Sequence, residues 1–376
     1  MCYNENMEKE IKKIAKYLPE GWESAARTEG ALVRAREIKT ASELLEVNLL
    51  YLTVGESHGT TAALLNLTTG MKISKNSVYK RIKGSWKWLR WMAEGMCRQN
   101  KMLIPKPEWL DREVSAVDGS EMGVSGSKQG DYYLHCAFDI FNFTYRSIEI
   151  TDVKEGEKLS RHMVRPGEII LADRMYGNIK GMEHVLENEG DFILRYRTKG
   201  FNVYDGNGDK INLNEQFKNL SPLESMSLEC FYYSEGKRCP VRLVAMRKDE
   251  EAIKAAHQKM NKKLRKQRGK RPSPEALEFN QYIVLATSLD YSNERILELY
   301  RARWQIEQVF LRLKEMYDLG EVPSKNEDSV KAWFYGKLFL AVLAETIMKR
   351  ELFSPEEEIF MRSFGFVKLV EDFEGD

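Results

Sequence analysis

Glu168-Ile169-Ile170-Leu171-Ala172-Asp173 decides the fold. Four apolar residues in succession, opened by the turn Pro166-Gly167 and closed by an acid, read as a short strand buried on both faces. Working outward, residues 114–117 form a second apolar run that ends in Asp118-Gly119-Ser120. Residues 132–140 and 144–150 read as two further strands, with Phe141-Asn142-Phe143 near their junction. A helix over 180–189 and a strand over 192–196 follow. This alternation predicts a mixed sheet flanked by helices. A carboxylate at a strand end leaves the apolar layer at the sheet edge, where open α/β sheets place ligands. Taken singly, such an aspartate is an ordinary turn or cap residue. Asp139 and Asp152 also lie near strands and stand as alternatives to Asp118.

The wider organisation divides into five parts. Residues 1–110 read as helical, with Leu44, Val47, Leu50 and Tyr51 at helical spacing. Within them, residues 60–83 fit a helix-turn-helix: Ser74 caps the second helix, Val78 and Ile82 face inward, and Lys75, Lys80 and Arg81 face outward toward DNA. Trp86, Trp88 and Trp91 alternate with basic residues and read chiefly as core anchors. Residues 111–198 form the first part of the sheet core. The block 199–289 carries strand candidates at 230–233, 242–246 and 282–287 and a basic helical stretch at 251–266. Residues 290–350 return to helix, as one long helix over 293–317 and a last apolar helix over 332–350. Residues 351–376 are an acidic tail.

The chain has 376 residues, 43% hydrophobic and 31% charged, a globular balance. No apolar stretch approaches the roughly 18–20 residues of a membrane helix. The acidic, polar amino terminus has no secretory signal pattern. Five scattered cysteines without a Cys-x2-Cys pair, and five histidines without HExxH spacing, argue against zinc and disulfide frameworks and for a reducing cytoplasm. The net charge of +1 conceals segregation. Residues 71–101 carry nine Lys/Arg and one acid, and 247–271 carry eleven Lys/Arg and three acids, whereas 351–376 carry eight acids and two bases. Such blocks are either solvated faces or surfaces that neutralise phosphates.

The helix containing Tyr300-Arg301-Ala302-Arg303-Trp304-Gln305-Ile306-Glu307 adds the third acid. At about 100° per residue, with Tyr300 at zero, Arg303 falls at about −60°, Glu307 at about −20° and Lys314 at about −40°. Trp304 falls at about +40°, just beyond this polar row. Ile306, Val309, Phe310 and Leu313 occupy the apolar arc beside it. The geometry alone is equally that of a surface Arg–Glu pair at i,i+4.

The spacing Tyr-x2-Arg-x3-Glu-x6-Lys, formed by Tyr300, Arg303, Glu307 and Lys314, resembles the signature of bacterial cut-and-paste insertion-sequence transposases. Trp304, the strand ends Val117-Asp118-Gly119 and Ala172-Asp173-Arg174, and Tyr176-Gly177 are similar to that group as well. The gaps between acids are 55 residues (118 to 173) and 134 residues (173 to 307).

The resemblance implies an α/β, ribonuclease H-like mixed sheet with flanking helices, a β-rich insertion at 199–289 and a helical DNA-binding amino-terminal region. It implies an Asp-Asp-Glu triad of Asp118, Asp173 and Glu307 holding two Mg2+ ions, with Mn2+ as a substitute, and cleavage and joining of DNA strands. Hard oxygen ligands suit that chemistry. Tyr300, Arg303 and Lys314 would then grip phosphates at the cleaved end. The partners implied are double-stranded DNA, namely terminal inverted repeats and target, and a second copy of the chain in the DNA complex, with no membrane. The protein is then expected in the cytoplasm, at the nucleoid when bound to DNA. A hairpin intermediate is implied too, with a flipped base stacked on Tyr282 or Trp304. Relatives often carry a tryptophan where this chain has Tyr282, and 199–289 contains none, a departure from the pattern.

Three other readings stand beside this one. A related nuclease would cut without joining. An inactive derivative would bind DNA alone. An RNA-binding protein would use the 247–271 segment.

Overall fold

The computed structural model describes residues 11–351 apart from 55–56, 100–105, 125–126, 128–129, 270, 317–320 and 323–325. The tail read at 351–376 lies, from 352 onward, outside the described residues.

After a helical stretch at 11–15 come α1 Trp22–Thr28, α2 Ala41–Val54, α3 His58–Thr68, α4 Lys75–Gly84 and α5 Trp86–Gln99. Serine caps set two of the starts. The Ser57 hydroxyl accepts from the Thr60 N–H at 3.1 Å, and Ser74 accepts from Ser77 at 3.2 Å. Val78 and Ile82 are buried, so α4 presents the inner face its spacing predicts. Lys80 is exposed, whereas Arg81 is half-buried and donates to the Arg34 carbonyl at 2.5 Å. Trp88 is fully buried in α5; its Nε1–H donates to the Trp22 carbonyl at 2.8 Å and its ring stacks on Trp22 at 6.2 Å.

The sheet comes next in the chain, with strands β1 Val114–Val124, β2 Tyr132–Asp139, β3 Thr144–Asp152, β4 Ile169–Ala172 and, after helix α6 Ile179–Glu187, β5 Asp191–Arg195. Then follow α7 Leu213–Phe217, β6 Ser225–Ser234, β7 Lys237–Arg247, α8 Glu250–Arg268, α9 Pro274–Phe279 and β8 Tyr282–Thr287. The chain closes with α10 Asn293–Ala302, α11 Trp304–Met316, the short β9 Glu321–Val322 and α12 Glu327–Glu351. Strand order is β3-β2-β1-β4-β5-β8-β7-β6, with β9 beside β1. Strands β1–β3 are antiparallel, and β4 and β5 run parallel to β1, a ribonuclease H-like arrangement. Strand β8 joins β5 antiparallel, so the 199–289 segment adds three strands to this same sheet.

Alternation sorts the side chains. Val114, Ala116, Ile169, Leu171 and Ile193 face a core shared with α5 and with Ile306, Val309, Phe310 and Leu313 of α11. Val117, Ile170, Ala172, Phe192 and Leu194 face a second core with Met182 and Val185 of α6. The amino-terminal helices dock on the final helix. Trp86 stacks on Tyr335 at 6.0 Å, and Lys337 donates to the Leu52 carbonyl at 3.0 Å. No helix among the described residues is long and apolar enough to cross a membrane.

Two local expectations are corrected. Asp118 lies inside β1 rather than at its end, because the β2 partner continues the antiparallel ladder through Asp118↔Cys136 to Met122↔Tyr132. What stops at this point is the parallel pairing with β4, whose last pair is Val117↔Ala172. The helix expected over 293–317 is broken into α10 and α11 at Arg303. The Arg303 N–H bonds back to Tyr300 and the Ile306 N–H to Arg303, both three residues apart, which tightens the backbone where Arg303 turns toward Asp118.

Two histidines are buried on the α6 side of the sheet. His135 bonds Thr151 Oγ1 at 2.8 Å, and His162 bonds Ser147 Oγ at 3.3 Å. Burial first, and then neighbouring Arg161, lowers His135 to about 4. Burial, followed by His135 and Arg161, lowers His162 to about 3. An unfolded histidine binds its proton near 6.5, so the unfolded chain holds more protons between these values. These two histidines therefore cost no stability above about pH 6.5 and an increasing amount as pH drops toward their lowered values. Thermal melts from pH 8 to pH 4 are expected to show a steep acid decline, flattened in His162→Gln. Parallel profiles for the two proteins would rule out this source.

Candidate active site

Strand register builds the site. The layer Val117–Ala172–Leu194 crosses β1, β4 and β5. One residue further, Asp118 continues β1, Asp173 follows directly on the end of β4 and Arg195 ends β5, and the charge of Asp173 acts on both Asp118 and Arg195. By alternation Asp118 and Arg195 lie on the face of Ala116 and Ile193, the face that α11 covers.

From α11, Glu307 reaches the same place. Arg303 ties the elements together, with Nη1 at 3.4 Å from Asp118 Oδ2 and Nη2 donating to Glu307 Oε1 at 2.5 Å. Its guanidinium lies 5.6 Å from the Tyr300 ring centre. The Arg303 Nε–H is buried and has no acceptor among the described residues. Further along α11, Lys314 donates to Ser120 Oγ at 2.6 Å and to the Glu121 carbonyl at 3.1 Å, pinning the helix to β1. Thus Tyr300, Arg303, Glu307 and Lys314 line one path beside Asp118, although the helix carrying them is kinked. Trp304 is half-buried at the start of α11.

Asp118 lies within range of the charges of both other acids. Burial raises Asp118 to about 6; the Gly119 N–H and Arg303 pull it down, while Asp173 and Glu307 repel it upward. Asp173 is half-exposed, and its Oδ1 accepts from the Met175 N–H at 2.7 Å. The two alternatives to Asp118 have other work. Asp139 is buried and accepts from the Asn142 N–H and side-chain amide, at 2.9 and 2.7 Å. Asp152 caps a short turn through the Lys154 N–H at 2.9 Å.

Oxygen donors alone line the acid cluster, the chemistry a hard divalent cation requires. Among the described residues no three such groups converge closely enough to hold one ion, and Arg303 stands between Asp118 and Glu307. The carboxylate oxygens are of the donor type a divalent cation takes, while Arg303 and Arg195 share the site with them.

The transposase DDE domain family matches residues 109–343, which span every one of these side chains. The chain belongs to that family. It is 27% identical over 347 residues to InsL for insertion sequence element IS186A of Escherichia coli strain K12, across 90% of this chain and 93% of that protein. The transposase for insertion sequence element IS421 of Escherichia coli is also 27% identical, over 348 residues and the same shares. The transposase for insertion sequence element IS231F of Bacillus thuringiensis subsp. israelensis is 22% identical over 295 residues, 71% of this chain and 59% of that protein.

Not every residue named from the sequence of this DDE family member gathers here. Tyr282 is 4% exposed in β8, its ring 5.6 Å from Phe217, inside the second core. Lys80 and Arg81 belong to α4, in the amino-terminal helices. Conversely, the structure brings in residues the sequence did not signal. Arg195 ends β5; burial lowers it to about 10, Tyr300 opposes that shift, and Arg174 and Arg303 add to it. Glu157 lies behind the site, where a Cβ on Gly119 would stand 2.9 Å from its Oε1 and 2.3 Å from the Tyr133 ring. Burial, then repulsion from Asp173 and Asp118, raises Glu157 to about 7 although its hydrogen bond with Tyr133 opposes this. A strand register that could be read from sequence would have found Arg195; nothing in the sequence flags Glu157.

Proposed function

We propose that the protein is a DNA transposase that cleaves the ends of a mobile element and joins the freed 3′-hydroxyls to target DNA. The carrying observation is that Asp118 and Asp173 directly follow the paired residues Val117 and Ala172, with Asp118 linked to Glu307 through Arg303. Family membership supports the same reading. Asp118, Asp173 and Glu307 would hold two Mg2+ ions, or Mn2+, which would supply an activated attacking hydroxyl and a stabilised leaving oxygen.

The chain's own residues position the strand. Arg303 presents a buried, unpartnered Nε–H that suits a phosphate oxygen. Tyr300 backs its guanidinium, and Lys314 adds a second cation along the same path. With Tyr282 buried, Trp304 is the residue on this path that would stack an unpaired base during hairpin formation. In this reading residues 1–110 recognise the element ends through α3 and α4, with Lys80 and Arg81 at the duplex. Residues 111–198 and 290–350 form the catalytic core, 199–289 the insertion. Two copies act on two ends.

The test incubates the protein with DNA from the flanks of its own gene, a target plasmid, and Mg2+ or Mn2+. Cleaved ends joined to the plasmid are expected, and EDTA should abolish both products. Cleavage without joining would make the protein a nuclease, and DNA binding with neither product would make it an inactive derivative.

A further inference from the structure

Beside Asp173 the fold opens into a cavity of about 610 Å3. It lies between the turn after β4, the loop after β5 and the segment that leads through α7 to α9. Arg174, Arg197, Lys199 and Lys210 line it, opposed by one acid, Glu275. Among the described residues no hydrogen bond or ion pair engages Arg174, Lys199 or Lys210, and the only partner of the Arg197 guanidinium is the Met175 sulfur at 3.9 Å. Four cations around one concavity repel one another, and an anion bound among them relieves that repulsion. Two more cations stand behind the wall. Lys248 is lowered to about 8 by burial and then by Arg195 and Arg174, and its ammonium donates to the Asn280 carbonyl at 2.7 Å.

The rest of the lining is not that of a simple ion site. Phe279, half-buried, and the amides of Asn202, Asn212 and Asn280 share the cavity. An aromatic edge and side-chain amides are what a nucleobase meets when its hydrogen-bonding edge is free of a complementary base. The volume is that of a small-ligand cleft, too small to admit a duplex. Arg174 directly follows Asp173 and its charge acts on Arg195, so the rim of the cavity and the acid at the end of β4 share one turn.

We propose that this cavity binds a single-stranded segment of the DNA strand being cut, with phosphates on Arg174, Arg197, Lys199 and Lys210 and a base against Phe279. The inference rests on the DNA-transposase reading and deepens it by giving the unpaired strand a site apart from the carboxylates. It assigns the 199–289 segment a share in substrate binding through Lys199, Lys210 and Phe279.

The experiment measures binding without cleavage. Full-length protein in EDTA is titrated by fluorescence anisotropy with a blunt duplex from the gene's flank, and with the same duplex bearing a short 5′ or 3′ single-stranded extension. The wild type is expected to bind one extended duplex more tightly. Lys199→Ala/Lys210→Ala should lose that preference while keeping blunt-duplex affinity and melting temperature. Its log–log salt slope on the extended duplex should fall by about 1.4, at about 0.7 per single-strand phosphate contact. A wild type indifferent to the extension, or a double variant that keeps the full preference, overturns the inference and leaves the transposase reading standing. Failure to bind either DNA overturns both.

Discussion

Asp173→Asn is expected to leave the protein folded, able to bind DNA, and about a thousandfold or more slower in strand cleavage. The substitution is nearly isosteric. Asp173 is half-exposed at the end of β4, and its Oδ1 accepts the Met175 N–H, a bond an asparagine oxygen keeps. Only the charge is removed, and charge is what the proposed cations require. Asp118→Asn should be as inactive but differ in stability. Burial is the leading reason that Asp118 rises to about 6, so the folded protein holds a proton there that the unfolded chain has released. The contribution of Asp118 to stability therefore falls as pH climbs from about 4 through about 6, and the neutral asparagine escapes that loss. At pH 8 Asp118→Asn should melt above the wild type, whereas Asp173→Asn should not. Cleavage assays with flank DNA and paired melting curves check both halves. Wild-type cleavage by either variant would remove the acids from the mechanism.

Trp88→Ala is expected to lose about 3–5 kcal/mol of stability, the range for deleting a fully buried aromatic. Trp88 has no exposed surface, stacks on Trp22, and satisfies the Trp22 carbonyl through Nε1–H. Trp88→Phe should lose less, keeping most of the packing but stranding that carbonyl. Urea unfolding of the three proteins measures the difference. A loss below about 1 kcal/mol for the alanine variant would mean that α1 and α5 do not depend on this contact.

Much of the site was legible because it is local. Residues 169–172 are an unbroken apolar run, so Asp173 stands out as its terminus, and the ring-and-charge row from Tyr300 to Lys314 is set by helical spacing. The serine cap of α4 was legible for the same reason. What stayed hidden depends on distant partners. The extent of β1 past Asp118 is decided by β2, which pairs with it through Met122. The kink at Arg303 has no glycine or proline to announce it; it occurs where that side chain meets an acid 185 residues earlier. Arg195 looks like the ordinary basic end of a strand until the β4–β5 register sets it next to Asp173. Tyr282, from sequence an aromatic in a position to stack, is claimed by Phe217 instead.

The unbroken hydrogen bonding from β3 across to β6 has a mechanical meaning. The segment is laced into its host by the β5–β8 ladder and carries that sheet on through β7, which opposes a lid-like swing on a hinge. Whatever adjustment a long polymer demands of this protein must come from loop tips and side-chain rotation at the rim. Trimming the segment away would strip β5 of its neighbour and bare a row of unpaired amides, an edge prone to sticking to other chains.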